Sequence, residues 1–338
     1  MKVSRLLIVG SPEPTHVGHH LADAARALDV SVAVCDVRRA YEGGAIRRRL
    51  WWYLRGRRPV RLRSFAAEVL RRVRTERPDV VLTTGLAPLD VATLRAIGRE
   101  GVRRVNFLTD DPWNPVHRAP WFLAGLPHYD QVWSPRQANL HDLRVAGVRR
   151  VEYLPFACNP SVHYPEAPAD EREWHQYESD VLLAGGADPD RVPYARALIG
   201  AGCRVALHGG YWDRYRATRR AARGFLDAAG LRKATGAARV CLGLVRRANR
   251  DGHAMRTYEI PAMGGCLLAE RTSDHERLFG REGECVMYFS SPREAVDRVK
   301  WLLAHPAERD RMAAAGRALI AGGRHTYADR LATILGSL

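Results

Sequence analysis

The chain has 338 residues, 46% of them hydrophobic, a length that suits two ordinary domains better than one core. No apolar run is long enough to span a bilayer, the opening MKVSRLLIVG passes straight into a strand pattern, and the six cysteines stand singly without metal-ligand spacing. Membrane-spanning, secreted and cysteine-metal classes are thereby set aside, and a formal charge of +16 carried almost wholly by arginine does not by itself name a nucleic-acid partner, since lysine occurs only at Lys2, Lys233 and Lys300.

Arg5 to Gly10 (RLLIVG) reads as a buried strand, His19 to Leu28 as a helix and Val30 to Cys35 as the next strand, a βαβ opening. The intervening loop, SPEPTHVG, lacks the second glycine of the dinucleotide fingerprint, which argues against a nicotinamide enzyme. His16, at the carboxyl end of the first strand, is a candidate to orient or deprotonate an acceptor hydroxyl; the competing reading is a solvated residue at a helix start. Ala45 to Arg63 (AIRRRLWWYLRGRRPVRLR) interleaves arginines with Trp51, Trp52 and Tyr53. Here Arg48, Trp51, Trp52 and Arg55 could meet an anionic membrane or a lipid-linked acceptor, stack on single-stranded nucleic acid, or pack as an ordinary amphipathic helix.

A helix over 65–76, a strand over 80–83, a helix over 90–99 and a strand over 102–108 follow, the last ending in Thr109-Asp110-Asp111-Pro112-Trp113. Neighbouring carboxylates diverge and no third ligand stands nearby, so Asp110 reads as an acceptor-facing or turn residue rather than a metal ligand. A strand over 129–133, a helix over 136–146 and a strand over 151–154 complete the first half. Pro155 to Arg172 (PFACNPSVHYPEAPADER) then has the composition of a linker.

A second βα series opens with a strand over 181–184 ending in Gly185-Gly186, and a strand over 204–207 leading into His208-Gly209. Glycine there lets a backbone approach phosphate or simply turn. Val240 to Val245, a polar loop, a helix over 255–263 and the apolar run Cys266 to Ala269 form a crossover. Its loop falls at the carboxyl end of a strand, where open α/β sheets bind ligands, and the helix start offers free N–H groups to an anion. Arg256 and Glu259 share one side of that helix; a guanidinium suits a diphosphate and a carboxylate suits a vicinal diol, while the plainer alternative is an ion pair or a helix cap. Helices over 292–303, 306–322 and 327–335 close the chain.

The second half resembles the glycosyltransferase family 1/4-type domain of the CgeB-type spore-maturation proteins. The resemblance rests on Arg256-Thr257-Tyr258-Glu259-Ile260-Pro261-Ala262-Met263-Gly264-Gly265, then Leu278-Phe279, Gly283-Glu284, and His325-Thr326-Tyr327 with Arg330. With two βα halves the chain is similar to a GT-B glycosyltransferase, which implies an α/β architecture of two Rossmann-like domains facing across a cleft. The implied layout is an acceptor domain over 1–157, a linker over 158–176, a nucleotide-sugar donor domain over 177–325 and a carboxyl-terminal helix over 326–338 that can cross back to the first domain.

The same resemblance implies a glycosyltransferase that moves a sugar from a nucleotide-diphosphate sugar, UDP among the candidates, to a hydroxyl of a glycan, lipid-linked or small-molecule acceptor. Retention of configuration, no cofactor, no bound metal, and a cytoplasmic location with peripheral contact at the inner membrane surface are the accompanying expectations. In the E-x7-E pattern of the relatives, Glu259 takes the ribose position and Asp251 the sugar-facing one. Arg256 would contact the diphosphate, Gly185, Gly186, His208 and Gly209 would line the donor side, Glu270 and Arg271 would sit beside them, and His253 and Tyr258 belong to the same donor stretch. An inverting enzyme would instead draw its base from His16 or Asp110. Two other readings stay open: a nucleotide-sugar epimerase on the same architecture, and a basic protein that binds nucleic acid or an anionic membrane.

Overall fold

Uninterrupted runs of valine, leucine and isoleucine are what a parallel sheet covered on both faces requires, and in the computed structural model, which describes residues 3–338, they become its central strands. Met1 and Lys2, included in the expected first domain, lie outside the described residues. The chain divides into two compact units. One comprises the described residues up to Pro155 together with Ala248–Arg250 and Tyr327–Leu338; the other comprises Phe156–Arg247 and Asp251–Thr326.

The first unit carries β1 (Arg5–Gly10), β2 (Ser31–Asp36), β3 (Val80–Thr84), β4 (Arg103–Phe107), β5 (Gln131–Ser134) and β6 (Val151–Tyr153), in the order β2-β1-β3-β4-β5-β6. Ile8 stands between Val34 and Leu82 in register, and Leu7, Ile8 and Val9 are wholly buried. Strand order reverses between β1 and β3, so the loops after these two strands flank the switch point of this sheet. The helix Tyr327–Gly336 packs against the helix Val17–Ala27 within the same unit.

The second unit carries β7 (Ser179–Ala184), β8 (Val205–His208), β9 (Ala238–Gly243), β10 (Leu267–Glu270) and β11 (Met287–Phe289), all parallel, in the order β11-β10-β9-β7-β8. Its reversal lies between β7 and β9. Four helices were not evident from the sequence: Glu171–Tyr177, Val192–Gly200, Ala228–Ala237 and Ser273–Phe279. Three of them begin at a side-chain cap, from Asp170, Asp227 and Thr272 respectively, a signal present in the sequence but weak without a long apolar stripe behind it.

Residues 158–176, expected as a linker, are instead built into the second unit. Cys158 bridges to Thr326, Asn159 and His163 are buried, and Arg232 holds both the Glu166 carboxylate at 2.6 Å and the Val162 carbonyl at 3.1 Å. A proline-rich strap of this kind wraps a domain when remote side chains satisfy its backbone, which composition alone does not reveal. Among the described residues no helix is long and apolar enough to cross a membrane.

Candidate active site

Next to the switch point of the second sheet, the ends of β7 and β8 run so close that only glycine fits. Gly209 has φ +129°, and a Cβ there would lie 2.6 Å from the carbonyl carbon of Gly185, whose N–H donates to the His208 carbonyl at 2.7 Å. Gly185 and Gly186 are therefore placed at a strand end with their backbone uncovered by side chains of their own. Beside them lies Arg191, which sequence reasoning missed. Its buried guanidinium donates to the carbonyls of Gly186 at 3.2 Å and Leu244 at 3.0 Å, tying the loop after β7 to the loop after β9. Burial, aided by Arg246, lowers its pKa.

Several residues expected to line the donor are committed to holding the loop between β9 and the next helix. Glu270 accepts from the Val245 N–H at 3.1 Å and pairs with Arg247 at 3.3 Å. Asp251 accepts from the Arg246 N–H at 3.3 Å and returns its own N–H to the Arg246 carbonyl at the same distance, closing the loop on itself. Asp251, expected to face the sugar, thus makes a loop-closing contact.

His253, expected in the donor site, is buried with both ring nitrogens engaged. Nε2 accepts from the Phe156 N–H at 3.2 Å, which puts the proton on Nδ1, where it faces Asp274 at 3.0 Å. Its ring also meets Tyr258 edge-on at 5.6 Å, so Tyr258 too is a packing residue here. Arg271, expected beside the donor, pairs with Glu276 at 2.7 Å and Glu282 at 2.9 Å, with its guanidinium 4.9 Å above the Tyr288 ring. His208 is buried with both ring nitrogens lacking a hydrogen-bond partner among the described residues, and burial followed by the charge of Arg223 lowers its pKa to about 4. It lines a pocket of about 600 Å³ with Tyr177, Arg223, Phe225 and Asp227.

The helix Arg256–Ala262 is the part of the crossover that brings two predicted residues together. Thr257 anchors its first turn by accepting from the Ala254 N–H at 3.1 Å and meeting His275 Nε2 at 2.9 Å, while His275 Nδ1 reaches the Glu270 carbonyl at 2.6 Å. On this support Arg256 donates from Nη1 to Oε2 of Glu259. The Glu259 side chain is fully buried, whereas 27% of the Arg256 side chain is exposed. Oε1 of Glu259 lies 3.5 Å from Nε2 of His163. Because His163 Nδ1 accepts from the Asn159 N–H at 3.0 Å, Nε2 carries the proton and faces the carboxylate. Burial, with Arg256 and Arg232 nearby, holds the His163 pKa well below its ordinary value. His163 lay in the stretch taken for a linker, so nothing in the sequence tied it to Glu259.

In the first unit, His16 and Asp110 both lie at the carboxyl edge of the sheet, after β1 and β4, on either side of β3. His16 begins the helix Val17–Ala27, half exposed, with its Nδ1 3.5 Å from Glu13. Asp110 accepts from Thr109 Oγ1 at 3.3 Å, and Gly85, at φ +57°, leaves room for both side chains. Its neighbour Asp111 is buried and receives Arg250 through Nε at 2.6 Å and Nη2 at 3.1 Å. Arg48, Trp51, Trp52 and Arg55 all belong to the helix Ala45–Leu54 or its end.

A family model described as glycosyl transferase-like matches residues 192–336. No curated protein sequence matches the chain. Among solved structures, Anabaena HepE in complex with UDP and glucose has a TM-score of 0.67 at 13% identity, over 99% of this chain and 100% of that one. Sucrose-phosphate synthase from Thermosynechococcus elongatus has a TM-score of 0.65 at 14% identity, over 99% and 98%. A putative UDP-N-acetylglucosamine 2-epimerase from Listeria monocytogenes has a TM-score of 0.56 at 13% identity, over 100% and 96%. Identities this low speak for the fold alone. Residues 192–336 thus match a glycosyl transferase-like family model, and the two units have the fold of these GT-B structures.

Proposed function

We propose that the chain transfers a sugar from a nucleoside-diphosphate sugar, a UDP-sugar first among the candidates, to an acceptor hydroxyl. The observation that carries this reading is the pairing of a part-exposed Arg256 with a buried Glu259 in the first turn of a helix at the carboxyl edge of the second sheet. Donor binding exchanges that contact for two better-matched ones: Arg256 takes a diphosphate oxygen, and the Glu259 carboxylate takes a ribose diol. HepE, solved with UDP and glucose and also with UDP-glucose, supports a UDP-sugar as the donor class.

The anomeric carbon–phosphate oxygen bond breaks as the bond to the acceptor oxygen forms. Arg256 and the helix start stabilise the departing diphosphate, with the part-exposed Arg246 and Arg247 adding positive charge on the preceding loop. On this reading no cofactor or bound metal is used. Configuration is retained, and the acceptor proton passes to the departing phosphate, so neither His16 nor Asp110 need act as a base.

Thermal-shift measurements with UDP, GDP, dTDP and ADP, followed by release of nucleoside diphosphate from the matching sugar, test the reading. Stabilisation by one nucleotide that is lost in Arg256→Ala is the expected outcome; no stabilisation by any of them sinks it. A second reading, epimerisation of a UDP-sugar, is favoured by the Listeria structure. Interconversion of UDP-N-acetylhexosamine epimers without any acceptor would establish it instead.

A further inference from the structure

We infer that the helix Ala45–Leu54 is an interfacial element that seats the first unit on an anionic lipid surface. None of its ten residues is buried. Ile46, Leu50, Tyr53 and Leu54 are 87%, 49%, 71% and 71% exposed, and their helical spacing sets them on one side as an apolar stripe with Arg47 and Arg49 at its borders. Ten residues make a helix about 15 Å long, which can lie in a headgroup layer and is far too short to cross it.

The charge around the stripe identifies the occupant. From Gly43 to Ala67 the sequence holds eight arginines and no carboxylate. Glu42, Glu68 and Asp90 are engaged by Arg61, Arg39 and Arg58, and Arg47, Arg48, Arg49 and Arg55 have no carboxylate partner among the described residues. A run of guanidinium groups beside exposed aliphatic side chains complements a surface that offers phosphates above hydrocarbon.

The aromatic residues argue against single-stranded nucleic acid as the occupant. Arg47 and Arg55 lie over the Trp51 ring at 5.2 and 5.7 Å, and Arg57 lies over Trp52 at 5.8 Å, so a base stacking on either indole competes with a guanidinium group already there. What remains bare is largely aliphatic, which hydrocarbon covers and bases do not. The helix is also held in place: after a turn with Gly56 and Arg57 at positive φ, Arg57 donates to the Pro115 carbonyl at 2.6 Å, fastening the segment to the first unit.

The test is flotation of the full chain with vesicles of phosphatidylcholine alone and with phosphatidylglycerol added. Binding to the anionic vesicles only, weakening as salt rises, is expected. Ile46→Glu, Leu50→Glu and Leu54→Glu combined, and separately Arg47→Gln, Arg48→Gln and Arg49→Gln combined, should each weaken it about tenfold or more while leaving Tm unchanged, because every altered side chain is exposed. Equal binding to both vesicle types, or none to either, overturns the inference. So does tight, salt-sensitive binding of single-stranded RNA without vesicle binding, or self-association that the glutamate variant abolishes without vesicle binding.

Discussion

Arg256 and Glu259 stand three residues apart on one helix, joined by a hydrogen bond from Nη1 to Oε2, yet only the guanidinium reaches solvent. The bare ion pair and the nucleotide grip were alternatives when read from the sequence; in the structure the pair forms, and its unequal burial leaves Arg256 as the end a diphosphate can approach.

Arg256→Ala should therefore abolish nucleotide-induced stabilisation, and by leaving the fully buried Glu259 carboxylate without its guanidinium it is expected to cost up to about 3 kcal/mol. Glu259→Ala is expected to cost less, because the part-exposed Arg256 guanidinium it leaves behind can turn to solvent. Glu259→Gln keeps the shape and should fold while losing most donor affinity. Urea denaturation and nucleotide titration of the three variants separate the two effects, and wild-type affinity in Glu259→Gln would remove Glu259 from the donor site.

His253→Ala should behave as a scaffold variant. It removes the acceptor of the Phe156 N–H and the partner of Asp274, both buried, so stability is expected to fall by about 2–4 kcal/mol. Nucleotide affinity of the folded fraction should stay close to that of the parent chain. A large loss of affinity with unchanged denaturation would instead place the imidazole on the donor.

Gly209→Ala tests the approach of the β7 and β8 loops. A methyl group there would meet the backbone of Gly185 and Gly186, which has no flexible end to move aside, and the residue already sits at φ +129°. Loss of several kcal/mol is expected, whereas Gly200→Ala, with nothing around its Cβ position, should be tolerated or slightly stabilising. Thermal melts of both variants check the contrast.

Acid should unfold the second unit through its buried histidines. Burial lowers the pKa of His275 and of His208 to about 4, below the ordinary value of 6.5 that each regains on unfolding. Between those values the unfolded chain binds more protons than the folded one. Stability is thus fully present above pH 6.5 and is lost as pH falls towards 4, at up to about 1.4 kcal/mol per pH unit for each histidine. His275→Gln should make the acid limb of a Tm-against-pH curve shallower, and an unchanged slope would refute the assignment.

Much of the second unit's framework was legible because a strand buried on both faces must be a continuous apolar run, as in Val181 to Ala184 and Val240 to Val245. The glycines at the strand ends were legible for the same local reason. Arg191 and His163 were not, since their partners come from loops and straps far away in the chain: Leu244 lies 53 residues beyond Arg191, and Glu259 lies beyond three strands from His163.

By itself the sequence determined two βα series, the crossover from Val240 to Arg271, and Arg256 with Glu259 on one side of its helix. Periodicity and turn chemistry are properties of neighbouring residues, so they survive being read in one dimension. Only the tertiary structure decided the contacts that His253, Glu270, Arg271, Tyr258 and Asp251 make, and that the strap 158–176 is folded. Those roles follow from which polar groups meet once the chain is packed, and a buried donor or acceptor takes its partner from whatever the fold brings within hydrogen-bond reach.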